Sequence, residues 1–149
     1  MTVEVAIAIL YQNGNFLMQL RDNVPNIAAP GCWGFFGGHL DPGETPEMAL
    51  VRELKEEISY EFSGELVKFG RYPSDRVMRH IFAVPLLVPL AELELKEGWD
   101  FALVTVDEIL QGERFSKIAN QVRPLSSIHR QILLDYLQHS QPLENITDK

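Results

Sequence analysis

The stretch that most constrains this chain is residues 37–60, reading G-G-H-L-D-P-G-E-T-P-E-M-A-L-V-R-E-L-K-E-E-I-S-Y. Its middle spells a helix. Thr45 can accept a hydrogen bond from a free first-turn amide, Pro46 has the fixed φ that suits a first helical position, and Glu47 sits in the electropositive first turn. Neither glycine nor another proline follows before Ser59. At about 100° per residue, Leu50, Val51, Leu54 and Ile58 share a stripe expected to face a core. Glu53, Glu56 and Glu57 fall on another, at the i, i+3 and i+4 spacing that makes side chains neighbours.

Three carboxylates on one helical edge repel each other, and helix propensity does not ask for them there. A cation among them would remove the conflict. Arg52 reaches only part of the group, Lys55 points elsewhere, and Ala49 leaves room on the acidic side. All-oxygen donors without histidine or cysteine suit Mg²⁺, with Mn²⁺ as the alternative, rather than zinc. Gly37, Gly38 and Gly43 in the preceding loop let backbone approach closely and offer carbonyl oxygens. Taken alone, R-E-L-K-E-E would be an ordinary solvated face. The longer pattern argues otherwise: Gly38, Glu44, Arg52, Glu53, Glu56 and Glu57 at fixed intervals have a chance probability of about 10⁻⁷ per starting point at average residue usage.

Those residues resemble the box of the Nudix (MutT-like) hydrolases: Gly, five residues, Glu, seven residues, then Arg-Glu-apolar-x-Glu-Glu-x-Gly-apolar. Here it reads Gly38, Glu44, Arg52, Glu53, Leu54, Glu56, Glu57, with Ser59 in place of the glycine and Tyr60 in place of the aliphatic residue. The resemblance implies an α/β fold, a Nudix-type α/β/α sandwich with a mixed β-sheet. It implies that the Gly37 carbonyl, Glu53, Glu56 and Glu57 hold Mg²⁺ (or Mn²⁺), that Glu53 acts as base or orients one, and that Arg52, partnered by Glu44, holds the carboxylates. A further metal-binding glutamate is expected outside the box. Glu97, followed by Gly98, matches it best, with Glu92 and Glu94 as alternatives.

With 149 residues the chain is expected to form a single domain over 1–149. A formal net charge of −8 argues against a sequence-independent grip on long nucleic acid. It leaves room for a small polyphosphate, because a bound cation reverses the local field. The lone Cys32, the lack of a membrane-length apolar run and the lack of a leader pattern lead to the expectation of a cytoplasmic protein with no membrane partner.

In chain order, residues 3–11 read as a strand buried on both faces, Asn13-Gly14 as a hairpin turn, and 15–20 as its return strand. Arg21 follows, a candidate oxyanion partner. Residues 24–31, with two prolines, read as a loop. In the aromatic strand 33–36, alternation sends one pair of residues to the core and the other toward a cleft, making Phe35 a candidate for stacking on a base. Strands are expected over 66–72 and 77–88. Arg76 and Arg79 are both candidates to reach substrate, Arg79 being the one carried forward, and His80 is read as serving a local hydrogen bond. Another strand covers 101–105, and a short helix runs from Asp107 to Leu110. Ala119-Asn120 resembles the segment in which MutT-type enzymes present an asparagine to a purine. Residues 127–138 read as a closing amphipathic helix, with Pro142 beyond it and a polar tail after Leu143.

The function expected is Mg²⁺-dependent hydrolysis of a nucleoside diphosphate linked to another moiety. A (d)NTP, giving nucleoside monophosphate and pyrophosphate, is the first choice, including clean-up of oxidised purines. The alternatives are a nucleotide-sugar or ADP-ribose pyrophosphatase and, from another class, a non-catalytic nucleotide-sensing module. A homodimer stays open beside a monomer.

Overall fold

The computed structural model describes residues 2–147. At its centre lies β1 (Val3–Gln12), which turns at Asn13 and Gly14, both at positive φ, into β2 (Asn15–Leu20). One edge of β1 pairs in parallel with β6 (Val77–Pro85), from Val3↔Val77 to Tyr11↔Pro85. The other edge is divided. Leu10 to Gln12 pair with β2, while Val5 to Ala8 pair with β4 (Phe36–His39), so the sheet forks between these two neighbours. Outside β6 runs β5 (Val67–Ser74), and β2 also pairs with β3 (Trp33–Gly34) and β7 (Asp100–Val104). A separate hairpin joins β8 (Glu113–Ser116) to β9 (Gln121–Pro124).

Period-two alternation along β1 divides the interior into two layers. Ala6, Ala8 and Leu10 pack with Phe82, Leu50, Leu54 and Ile58 under α1 (Pro46–Ile58). Ile7 and Ile9 face the opposite layer, with Trp33, Ile109, Ile132 and Leu133 under α2 (Val106–Gln111) and α3 (Ser127–Thr147). A mixed sheet covered by helices on both faces is the expected α/β/α sandwich.

Three local expectations need correction. Val51 is 42% exposed, and Ala49 is buried in its place; the two flank Leu50 at equal angles, and the covering layer reaches the Ala49 side only. Trp33, Phe35 and Phe36 are all buried, the first two in the α2–α3 layer and Phe36 in the α1 layer, so alternation here leads to two cores rather than to a core and a cleft. Finally, α3 continues past Pro142 to Thr147; a proline removes one intrahelical donor, which here does not end the helix. The end of the expected polar tail, 148–149, lies outside the described residues. No helix among the described residues is long and apolar enough to cross a membrane.

Both ends of α1 are tied down. The Thr45 side chain accepts from the Met48 amide, with Pro46 in the first turn. At the exit Ser59 adopts the left-handed conformation (φ 57°, ψ 30°), and the Tyr60 amide donates back to the Leu54 carbonyl. Serine therefore makes the turn that glycine makes without steric penalty. Tyr60 is buried, its hydroxyl donating to the Pro85 carbonyl and accepting from the Leu87 amide. The amides of Lys96 and Glu94 donate to the Glu57 and Ile58 carbonyls, which otherwise have no intrahelical partner. Ser59→Gly is expected to stabilise the protein by about 1 kcal/mol, since it relieves the left-handed strain at one residue. An unchanged or lowered urea midpoint would contradict this account of the helix exit.

Candidate active site

The acidic edge of α1 lies against β4 at Gly37 and Gly38. Gly37 has φ 144°, and a side chain there would collide with the Ala6 carbonyl of β1. A Cβ on Gly38 would lie 2.6 Å from the Glu53 carboxyl carbon, so Glu53 occupies space that only glycine leaves free. One turn on, Glu57 Oε1 accepts the Gly37 amide at 2.9 Å. Burial pushes the Glu57 carboxyl up to about 8; the Gly37 amide opposes this, Glu53 and Glu97 add repulsion, and Arg21 works against it. The Glu53 carboxyl is also raised, by burial first, with Arg52 opposing.

Arg52 spreads its guanidinium over the rest of the acids. Nε and Nη2 donate to the two oxygens of Glu44, each at 2.8 Å. Nη1 donates to Glu53 at 3.0 Å and Glu56 at 3.2 Å, and Nη2 also reaches the His39 carbonyl. This forked pair holds the Glu44 carboxyl down at about 2, helped by the Asp41 amide, and raises Arg52 in turn, Glu44 contributing most. Among the described residues no three acidic, imidazole or thiol groups converge on one point. Glu53 and Glu56 turn to Arg52, and Glu57 turns to Gly37.

Beside Glu57 opens a cleft of about 150 Å³, lined by Gln19, Arg21, Asp22, Ile27, Glu97 and Gly98. Glu97 arrives there because the preceding segment is fastened to the end of α1 by the Lys96 and Glu94 amides. Arg21 follows β2, and its Nε is buried with no acceptor among the described residues. Gln19, not anticipated from sequence, is 6% exposed and donates to the Phe35 carbonyl at 3.4 Å. Its one legible sign is a polar residue inside the apolar run F-L-M-Q-L.

Of the other expected residues, Phe35 is 4% exposed and its ring stacks on His129, centroids 4.9 Å apart. Alternation between two buried layers, rather than a layer and a cleft, accounts for that. Arg79 Nη1 donates to Ser74 Oγ. His80 pairs with Glu4 at 2.8 Å, a partner on the neighbouring strand β1 and 76 residues away in sequence. Asn120 is exposed, at φ 56° in the turn between β8 and β9. Glu92 lies in a short 3₁₀ turn (Leu90–Glu92), and the Glu94 amide serves the end of α1. His129 gave no signal in the sequence beyond its place on an amphipathic helix.

The NUDIX domain family model matches residues 1–125. The ADP-ribose pyrophosphatase of Methanocaldococcus jannaschii is 31% identical over 136 residues, 87% of this chain and 70% of that protein. The CTP pyrophosphohydrolase of Escherichia coli is 38% identical over 86 residues, 56% of this chain and 62% of that protein, so the match spans less than two thirds of its length. Among solved structures, the MutT protein of Methanosarcina mazei superposes with a TM-score of 0.70 at 19% identity, covering 93% of this chain and 94% of that one, a likeness of fold.

The Glu57 environment has a consequence for stability. Its folded-state pKa of about 8 lies above the 4.5 of an unperturbed glutamate, so the folded chain binds this proton more tightly than the unfolded one. The stabilising contribution is full below about pH 4.5 and is lost as pH rises toward 8. In metal-free protein Glu57→Gln should remove that loss and raise unfolding free energy at pH 8 by about 2 kcal/mol, with little difference near pH 5. Denaturant titrations at the two pH values check it; equal effects at both would refute the assignment.

Proposed function

Since this chain belongs to the Nudix hydrolase family, we propose that its acidic α1 edge and the adjoining cleft hydrolyse the diphosphate linkage of a nucleotide. The observation that carries this reading is Glu57, a half-buried carboxyl group repelled by Glu53 and Glu97, with one backbone donor and no ion pair among the described residues. Such a group is stabilised by a hard cation. The donor chemistry fits: Glu53, Glu56, Glu57, Glu97 and the Gly37 carbonyl are all oxygen ligands and would hold Mg²⁺, with Mn²⁺ as the alternative. When bound, the ion neutralises diphosphate oxygens and acidifies a water.

The chain's own residues supply the rest. Arg52, anchored by its forked bond to Glu44, keeps Glu53 and Glu56 oriented from the side. Glu53, desolvated against Gly38, takes the proton from the attacking water or orients the group that does. Arg21 offers a guanidinium whose Nε lacks an acceptor among the described residues, suited to a phosphate oxygen in the cleft it lines with Glu57. The water oxygen bonds to phosphorus, one bridging P–O bond breaks, and the leaving phosphate carries away the electron pair.

A (d)NTP is the first substrate choice, giving nucleoside monophosphate and pyrophosphate. ADP-ribose is the second reading, favoured by the long match to the archaeal relative of that name. The oxidised-purine reading draws on the resemblance at Asn120, an exposed residue at the turn between β8 and β9, and on similarity to the 8-oxo-dGTP diphosphatase of Proteus vulgaris, 58% identical over 67 residues, 45% of this chain and 59% of that protein. The test is a panel of (d)NTPs, nucleotide sugars and ADP-ribose with Mg²⁺, both products being quantified. One class should turn over, and folded Glu53→Gln should lower its kcat by about 10²- to 10⁴-fold. Failure of the wild type to cleave any diphosphate with either Mg²⁺ or Mn²⁺ would reject the proposal.

A further inference from the structure

We propose that His129, on the helix layer opposite the carboxylates, is a positioning residue for them, acting through the backbone of Phe35. This rests on the hydrolase reading above. The Phe35 amide donates to His129 Nδ1 at 3.0 Å, and the two rings stack at an interplanar angle of 27°. On the other side of the same residue, the Phe35 carbonyl accepts from Gln19 Nε2, whose side chain lines the cleft with Glu57 and Glu97. Two residues further on, the Gly37 amide donates to Glu57.

A short backbone link therefore joins His129 to the cleft. Space at the junction is fully used: a Cβ on Gly34 would lie 2.7 Å from His129 Nδ1. To accept from an amide, Nδ1 must carry a lone pair, which places the imidazole proton on Nε2. Burial holds the His129 pKa down at about 4, with Arg79 and Arg21 lowering it further, so the acceptor persists at neutral pH. An aromatic ring of similar size would fill the space but leave the Phe35 amide buried without a partner.

The test compares His129→Leu, which removes the acceptor, with His129→Asn, whose Oδ1 stands at the same bond distance from Cα as Nδ1. Hydrolysis is resolved into kcat and KM, and Mn²⁺ affinity is measured by electron paramagnetic resonance. His129→Leu should lower kcat tenfold or more and weaken Mn²⁺ binding, with nucleotide KM changed less than threefold. His129→Asn should stay within threefold of wild type in all three. Wild-type behaviour of folded His129→Leu, or equal loss in both variants, overturns the proposal. Should either variant fail to fold, ¹⁵N spectra of the wild-type imidazole decide: an unprotonated Nδ1 between pH 6 and 8 supports it, and a protonated Nδ1 overturns it. If the wild type cleaves no nucleotide while the Mn²⁺ and ¹⁵N readouts still behave as stated, the hydrolase reading fails and the positioning role stands.

Discussion

Backbone passing where no side chain can fit is the constraint on which the carboxylate edge depends. At Gly37 the chain presses against β1 so closely that any Cβ would strike the Ala6 carbonyl, and at Gly38 the missing side chain is replaced by the carboxyl group of Glu53. That approach lets the Gly37 amide reach Glu57. Without it, this half-buried carboxyl group would have no backbone donor, which costs free energy in a partly desolvated site. The fork of the sheet serves the same end. Because β1 pairs first with β4 and then with β2, β4 can lean toward α1 while the end of β2 opens onto the cleft.

The acidic edge is held by unequal forces. Arg52 satisfies Glu44 with two short bonds but gives Glu53 and Glu56 one each, and Glu57 lies beyond its reach. The gradient runs from a carboxyl held at about 2 to one pushed up to about 8 along a single helix and its leading loop. Arginine thus anchors the end of the cluster nearest the loop, while at the end nearest Glu97 the Glu57 carboxyl is held toward its protonated form instead of being paired. The apolar stripe of Leu50, Leu54 and Ile58 anchors the helix so firmly that the repulsion is tolerated rather than relieved by rotation.

Much of this was legible in the sequence because local rules and tertiary context agree along α1. The cap at Thr45, the proline after it, the apolar spacing and the intervals between Gly38, Glu44, Arg52 and the three glutamates all express one helix laid against one glycine-rich strand. Asn13-Gly14 marked its hairpin for the same reason. What escaped was set by partners distant in sequence. Val51 is apolar yet exposed because sequence periodicity does not tell where the covering layer ends. Phe35 was placed beside a cleft because alternation says which residues share a face and not what covers that face; here α3 does, through His129. Gln19 and His129 carry no motif, and their partner, the Phe35 peptide group, lies 16 and 94 residues away from them respectively.

The segment G-F-F-G-G at residues 34–38 is where the two helical layers meet. Helix α3 touches it from one side, with His129 against Gly34 and Phe35; helix α1 touches it from the other, with Glu53 against Gly38 and Glu57 against Gly37. Its aromatic pair divides in the same way, Phe35 into one layer and Phe36 into the other. Helices packed on opposite faces of a sheet do not touch each other, so any agreement between their side chains must pass through the strand between them. The carboxylates are carried by the helix, but their relation to the cleft is set by a strand whose backbone both layers grip.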